Sequence, residues 1–467
     1  MTVVDTAAQA MHFERFYLGC LAHASYVLGS EGEAVVVDPQ RDVDLYLQAA
    51  NRQGLKIRHI FETHLHADFV SGHRELAERT GAKIYIGAAA GAAFPHVAVR
   101  HGFELPFGKA RITVLETPGH TPESICLLIT DPGKSPRPWA VLTGDTLFLG
   151  DVGRPDLSQT HSPRQLAGML YDSLHTKLLT LPDDVAVYPA HGAGSLCGRN
   201  MRADGSSTIG IERLTNYALR IPSREEFICE LTTNLPTRPE YFLQDAEINR
   251  AGATALADLP ALPALSAAEV KRLLDSGTAG LDVRASDRFA EGHVPGSLNI
   301  ALSGQFATWA GTVLGLQARP VLIADSDDQI QEARVRLARV GIDVEGGYLR
   351  GGVEGWKSAG FPLSQTKQMT VADLHRCLGK FMVVDVRREP EWRAGHVEGA
   401  LSYPLDRLKP GSLTLDKKAP LAVHCKSGYR SMIACSLLER SGFQNVTNVS
   451  GGLDAWERAN LPLVREG

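Results

Sequence analysis

One block of this sequence occurs twice. Residues 282–300, DVRASDRFAEGHVPGSLNI, align without a gap, at an offset of 103, with residues 385–403, DVRREPEWRAGHVEGALSY. Further on, GGVEGW (351–356) matches GGLDAW (451–456) at an offset of 100. Solenoid repeats recur every ~20–50 residues, so a spacing near 100 marks duplicated domains. Residues 263–365 and 367–467 are therefore read as two copies of one α/β unit, each running β–α–β–α. The chain has 467 residues. At roughly 150 residues per domain, that leaves room for one more domain in front, over residues 1–250. Residues 246–265, AEINRAGATALADLPALPAL, are rich in Ala, Leu and Pro and read as a linker with room for a short helix.

The front region carries short β-branched apolar runs bounded by Gly, Pro or Asp, the pattern of buried strands. They are AVVVDP (34–39), IRHIFETH (57–64), AKIYIG (82–87), RITVLETPGH (111–120), WAVLTGDTLF (139–148) and VAVYPAH (185–191). Ligand-type residues sit at the exits. Thr63-His64-Leu65-His66-Ala67-Asp68 follows one strand, His120 sits in TPGHT, Asp145 in TGDTLF and His191 in YPAHG. Strand ends in an α/β sandwich line one edge, so these residues can converge there although they are far apart in sequence. Imidazole and carboxylate together suit zinc, iron or manganese.

Composition excludes several classes. Lys+Arg 48 against Asp+Glu 53 gives a formal charge of −5, no footprint for nucleic acid or an anionic membrane. Apolar residues at 44% are enough for real cores, which excludes disorder as the main state. Seven cysteines are too few for a disulfide scaffold. The start, MTVVDTAAQAMHFERF, lacks a basic region followed by an apolar run, and no stretch reaches the ~18 apolar residues of a membrane span. The expectation is a cytoplasmic protein with reduced thiols. Cys20, Cys126, Cys229, Cys377 and Cys435 lie in apolar or helical contexts and read as core.

The T-H-x-H-x-D, T-P-G-H-T and G-D-T-L-F motifs resemble the metallo-β-lactamase superfamily over roughly residues 12–245, and within it the glyoxalase II and persulfide dioxygenase branches. The resemblance implies an αββα sandwich. Glyoxalase II enzymes have a histidine directly after the motif aspartate, where it helps hold a second metal. Here that position is Phe69. The second slot then keeps only Asp68, His191 and the bridging Asp145, so a single metal is expected. Persulfide dioxygenases are similar in holding one iron through two histidines and one aspartate. Carried over, the ligands are His64, His120 and Asp145, with His66, Asp68 and His191 placed to orient ligands or handle protons. Such a set leaves about three positions open on octahedral Fe(II) for a persulfide and dioxygen. Zinc has no second redox state, and the same three ligands with zinc and water would instead hydrolyse a thioester. GDVGRPD (150–156) resembles a G-x-G-R-x-D segment of persulfide dioxygenases. Arg154 there either holds the site loop, meets a substrate carboxylate, or pairs with Asp156. Cys197, six residues after His191 in a Gly-rich loop, is read either as a relay for sulfane sulfur or as a small buried residue.

In the second copy the strand Leu421-Ala422-Val423-His424-Cys425 runs into Lys426-Ser427-Gly428-Tyr429-Arg430 and then a helix. A thiol beneath a helix N-terminus, with Lys426 and Arg430 beside it, is favoured as thiolate. Successive backbone N–H groups in such a loop form an anion nest. The run DVR through Glu391-Trp392, Gly395-His396-Val397 and Gly399-Ala400, with GGLDAW, resembles the rhodaneses, which are sulfurtransferases. Dual-specificity phosphatases of similar fold carry C-x5-R, whereas Cys425 to Arg430 is C-x4-R, the smaller ring of the sulfur-transferring members. The resemblance implies a Cys425 persulfide held by loop N–H groups, Arg430 and Lys426. In the first copy Asp325 stands opposite Cys425 and Ile330 opposite Arg430, within a loop carrying Asp325, Asp327 and Asp328. That copy is read as catalytically silent.

The order of the three domains resembles bacterial persulfide dioxygenase–sulfurtransferase fusions. The resemblance implies Fe(II) as cofactor, with zinc as the alternative. It implies a small-molecule thiol persulfide, dioxygen and sulfite or thiosulfate as partners, without nucleic acid or membrane. A homo-oligomer is expected. The expected activity is persulfide oxidation to sulfite coupled to sulfur transfer, serving sulfide detoxification. The alternative is a zinc thioester hydrolase fused to a sulfurtransferase.

Overall fold

The structure, a computed structural model, describes residues 11–465 except 234, 236, 410 and 411. Residues 1–10, read above for a targeting segment, lie outside the described residues. Among the described residues no helix is long and apolar enough to cross a membrane. The chain divides into two compact units: Met1–Leu259 with Ala338–Gly341, and Pro260–Leu337 with Ile342–Gly467.

The first unit is built on two six-stranded sheets. One runs in spatial order His12–Leu18, His23–Ser30, Glu33–Val37, Lys56–Glu62, Lys83–Gly87, Val97–Val99. The other runs Ser207–Thr208, Ala186–Pro189, Ala140–Gly144, Ile125–Thr130, Ala110–Glu116, Glu104–Phe107. Strand alternation explains the layers. Val35 and Val37 point into the core between the sheets, while Ala34 and Val36 point outward under the helices Asp44–Arg52 and His73–Thr80. On the second sheet Leu127 and Ile129 face inward, while Cys126 and Leu128 pack against residues of the helix Pro163–Ser173. A strand that buries both faces is apolar throughout, which made AVVVDP legible, although the equally buried Ile125–Thr130 was not singled out. The result is the expected αββα sandwich, with the exits of Lys56–Glu62 and Ala140–Gly144 opening toward the ligand residues.

The stretch read as a linker begins inside a helix. Tyr241–Ala251 is helical, and its Asn249 Nδ2 donates to the carbonyls of His66 (2.7 Å) and Phe69 (2.8 Å). Ser71 N donates to Asn249 Oδ1 at 2.8 Å. One buried amide thus clamps both ends of the loop that carries Asp68 and Phe69.

In the second unit each repeat forms a five-stranded sheet whose pairings are all parallel. The order is Ala264–Leu265, Tyr348–Leu349, Val321–Ile323, Gly280–Asp282, Leu298–Asn299 in the first copy. It is Lys367–Met369, Val446–Val449, Leu421–His424, Met382–Asp385, Leu401–Ser402 in the second. The shared motifs turn out to be framework. Arg284 pairs with Asp282 at 2.7 Å and Arg387 with Asp385 at 2.6 Å, and each arginine also donates to the carbonyl of Gly292 or Gly395. Phe289 stacks on His293 and Trp392 on His396, with centroids 3.8 and 3.6 Å apart. Trp356 and Trp456 donate to the carbonyls of Pro362 and Pro462. A copy can therefore lose its nucleophile and keep the motifs, because they hold the fold.

The double glycines close the comparison. Gly352 (φ +55°) and Gly452 (φ +52°) lie in the left-handed region, and a Cβ there would collide with the carbonyl of Ala324 or of Cys425. Both Gly352→Ala and Gly452→Ala are expected to lower stability by about 1–3 kcal/mol, read as Tm. Only Gly452→Ala should also lower sulfur transfer, since only its neighbour carbonyl belongs to a cysteine loop.

Candidate metal centre and sulfur-transfer loop

Thr63 begins the construction of the first site. Its N–H and Oγ1 both donate to Asp38, at 2.7 and 2.9 Å, so Oγ1 is left to accept from His64 Nδ1 at 3.0 Å. His120 Nδ1 donates to the carbonyl of Arg154 at 2.9 Å. Both rings thus carry their proton on Nδ1 and present an Nε2 lone pair. Asp145 Oδ2 lies 3.9 Å from His64 Nε2 and 3.4 Å from His120 Nε2. One ligand atom from each of the three residues falls within 4.8 Å of the others. His120 Nε2 and Asp145 Oδ2 are buried without a hydrogen-bond partner among the described residues. Orphaned buried atoms are costly unless something absent fills the gap, and a metal ion fits this set. Burial, helped by the neighbouring histidines, holds His64 well below the usual imidazole range, and burial lowers His120 too. Neutral imidazoles are the ligand form. Asp145 stays well below the usual carboxylate range although burial opposes it, because His191, His120 and His64 surround it.

The remaining histidines face elsewhere. His66 Nε2 lies 3.2 Å from Asp38 Oδ1 and 3.6 Å from Glu62 Oε2. Burial opposes its charge, yet Asp38 and Glu62 raise it. His191 Nδ1 donates to Asp145 Oδ1 at 2.7 Å, and its Nε2 lies 2.9 Å from Asp68 Oδ2. Against burial, the flanking Asp145 and Asp68 raise His191 well above its ordinary value. Phe69 is fully buried, 4.1 Å from the ring of His23 and 4.4 Å from that of His66.

The GDVGRPD segment wraps the ligands. A Cβ on Gly153 would overlap the Asp145 carbonyl and crowd His120 Nδ1. Arg154 binds Asp156 through two bonds (2.7 and 2.9 Å) and donates to the Leu196 carbonyl at 3.1 Å, while its N–H meets the Cys197 carbonyl at 3.0 Å. Of the readings offered for Arg154, the structure displays the pair with Asp156 and the hold on the site loop. Cys197 is buried, and burial with Asp68 and Asp145 pushes its thiol well up, which disfavours a nucleophilic sulfur. Gly153→Ala is expected to cut metal content and first-site activity by about tenfold or more, the scale of disturbing a ligand's outer partner.

In the second unit, Cys425 directly follows the strand Leu421–His424 and is 1% exposed. Gly428 N donates to Cys425 Sγ at 3.1 Å, and Gly428 sits at φ +107°, the turn that aims the amide inward. Arg430 is held by Glu391 through bonds of 2.7 and 2.8 Å, so its charge is largely matched inside the domain. Lys426 is exposed. Glu391→Gln is expected to loosen Arg430 and lower sulfur transfer about tenfold, read against an unchanged first-site rate.

Comparison with known proteins follows the same division. Residues 18–191 match the metallo-beta-lactamase superfamily, and residues 266–359 and 370–459 each match the rhodanese-like domain. The chain is 32% identical to the mitochondrial persulfide dioxygenase ETHE1 of Mus musculus, over 45% of this chain and 77% of that protein. The chain belongs to the metallo-β-lactamase superfamily, as an ETHE1–rhodanese fusion. It is also 31% identical to a hydroxyacylglutathione hydrolase of Francisella philomiragia, over 39% of this chain and 68% of that protein. A solved metallo-β-lactamase from Staphylococcus aureus subsp. aureus COL shares 33% identity and a TM-score of 0.66, covering 73% of this chain and 99% of the other.

Within the fusion, several residues at the centre went unnoticed in the sequence. His23, Asp38, Glu62 and Asn249 all pack against the ligand loops, and of these Asp38 and Glu62 lie within the strand runs AVVVDP and IRHIFETH. The cysteine expectations need correcting. Cys126 and Cys435 are buried, but Cys229 is exposed, and Cys20 and Cys377 are partly so. A helical context alone does not say which face a cysteine occupies.

Proposed function

We propose that this protein oxidises a low-molecular-weight thiol persulfide with dioxygen at an Fe(II) centre held by His64, His120 and Asp145, and transfers sulfane sulfur through Cys425. The reaction is RSSH + O2 + H2O giving RSH and sulfite with two protons. The observation that carries it is the turn of Asp145: Oδ2 faces the two imidazoles while Oδ1 is taken by the His191 N–H. A carboxylate so divided serves one metal rather than bridging two, and Phe69 removes the imidazole a bridged pair would need. The relationship to a persulfide dioxygenase supports the same reading.

When bound, Fe(II) supplies the redox capacity to join a persulfide sulfur and dioxygen. The chain's own part is positioning. Thr63 and the Arg154 carbonyl fix the two imidazole tautomers, the buried walls exclude water, and the Asp145–His191–Asp68 row offers a proton at His191 Nε2. In the second unit, the Cys425 persulfide hands its outer sulfur to sulfite, giving thiosulfate and the free thiolate; the transfer also runs in reverse. Loop amides steady the anion. Covalent linkage raises the local sulfite concentration. The role in the cell is removal of sulfide-derived persulfide.

Oxygen-electrode assays of iron-loaded protein with glutathione persulfide test this. Uptake that yields sulfite is expected. Cleavage of S-acyl-glutathione by zinc-loaded protein, with no oxygen uptake by the iron form, would replace it with the hydrolase reading.

A further inference from the structure

The copy without a nucleophile borders the copy that has one. A cleft of about 670 Å³ lies within the second compact unit, with residues of both copies in its walls. One wall is the cysteine loop itself, through Ser427, Gly428 and Tyr429. Gly428 is the residue whose N–H meets Cys425 Sγ at 3.1 Å. The cleft sits past the ends of the parallel strands Leu421–His424 and Val446–Val449, where open α/β sheets take their ligands. Another wall is the helix Ser286–Glu291 of the first copy. The copies are tied together beside it. Tyr429 Oη donates to the Ala301 carbonyl at 3.0 Å, and the Asn299 N–H donates to Ser436 Oγ at 3.1 Å.

Size and charge say what fits. A cleft this large suits a ligand of many atoms, and thiosulfate or sulfite would fill little of it. The charged groups in its lining are Asp287 and Glu291 from the first copy and Lys367 from the second. Glu291 meets Arg288 at 3.3 Å, but both side chains are exposed, and such a pair is weak enough to yield to a ligand. Asp287 Oδ1 accepts from the Arg288 N–H at 2.8 Å. Two carboxylates against one lysine repel polyanions and attract a ligand ammonium.

Given sulfur transfer at Cys425, on which this rests, we propose that the cleft binds the carrier thiol that exchanges sulfane sulfur with Cys425. The carrier is an amino-acid or short-peptide thiol whose free ammonium is received by Asp287 and Glu291. Lys367 is left for its carboxylate. Coenzyme A, with its phosphates, is disfavoured by the same charges. In the exchange the Cys425 thiolate attacks the outer sulfur of RSSH. The persulfide S–S bond breaks, a new one forms on Cys425, and the leaving thiolate takes up the persulfide proton. RSSH and Cys425–S⁻ thus give RSH and Cys425–SS⁻, with no other reactant. The first copy selects the carrier without needing a thiol of its own.

Glutathione and N-acetylglutathione are the probes, because they differ at that ammonium. Full-length protein is given thiosulfate with either thiol as sulfur acceptor, and sulfite release is followed without oxygen, so that no sulfite comes from persulfide oxidation. The expected KM for glutathione is about tenfold below that for N-acetylglutathione. Asp287→Asn combined with Glu291→Gln should raise the glutathione value until the two lie within about twofold. Both side chains are exposed, so the double variant should fold. Equal KM values in the wild-type protein, a preference that survives the double substitution, or a lower KM for coenzyme A than for glutathione overturns the proposal. Thiosulfate–cyanide transfer in the same wild-type sample separates the failures. Transfer without thiol preference removes the carrier site alone, and no transfer removes the Cys425 reading together with the site.

Discussion

His120→Ala is expected to abolish persulfide-dependent oxygen uptake while thiosulfate–cyanide transfer continues at the wild-type rate. The ring is one of the three proposed donors, and its Nε2 is a buried atom that nothing else among the described residues satisfies. Loss of even an outer partner of a metal ligand costs ~10–100-fold, so removal of the donor itself should cost more than about 100-fold. The effect should show first as lost metal, measured as iron per chain, and equally in rate. His120 lies in the first compact unit and Cys425 in the second, each with its own core. A folded His120→Ala protein that lost both activities would contradict the two-site account.

Cys425→Ser is expected to do the reverse. Transfer of sulfur from thiosulfate to cyanide should fall by roughly 10^4-fold or more, the scale of losing a covalent nucleophile. Serine keeps the size, and Gly428 N can still donate to its oxygen, so the loop should stay in place. Thermal stability should hold close to wild type. Oxygen uptake with added persulfide should be unchanged, and sulfite should accumulate where the wild-type protein converts part of it to thiosulfate. Mass spectrometry should find the added sulfane sulfur on the wild-type Cys425 peptide. Transfer that survives the serine substitution would move the nucleophile to another thiol.

Much of this was legible in the sequence because the physics is local. Strands that bury at least one face carry a run of apolar residues, and all six runs singled out in the front region coincide with observed strands. Outer strands were harder. His12–Leu18, HFERFYL, mixes charge with aromatic residues because it lies at a sheet edge and is mostly half-buried. The metal donors were legible because each lies within four residues past the end of a strand. Asn249 was not, because it acts across 180 residues of chain through an amide, on a helix inside a stretch that reads as a linker. Phe69 was read as an emptied slot. The side-chain packing adds what sequence spacing could not, that Cys197 returns to that slot from a third loop. The rhodanese signatures were legible for a different reason. Most of their residues make the same bonds in both copies, so they identify the fold in each.

The central claim is that a single redox-active ion in the His64–His120–Asp145 set drives the first reaction. Oxygen consumption by protein reconstituted anaerobically with Fe(II), set beside protein reconstituted with zinc, tests it most directly. The account predicts uptake of dioxygen equimolar with glutathione persulfide and release of sulfite in the iron form, with none in the zinc form. Iron-loaded protein that consumes no oxygen with any thiol persulfide would contradict it.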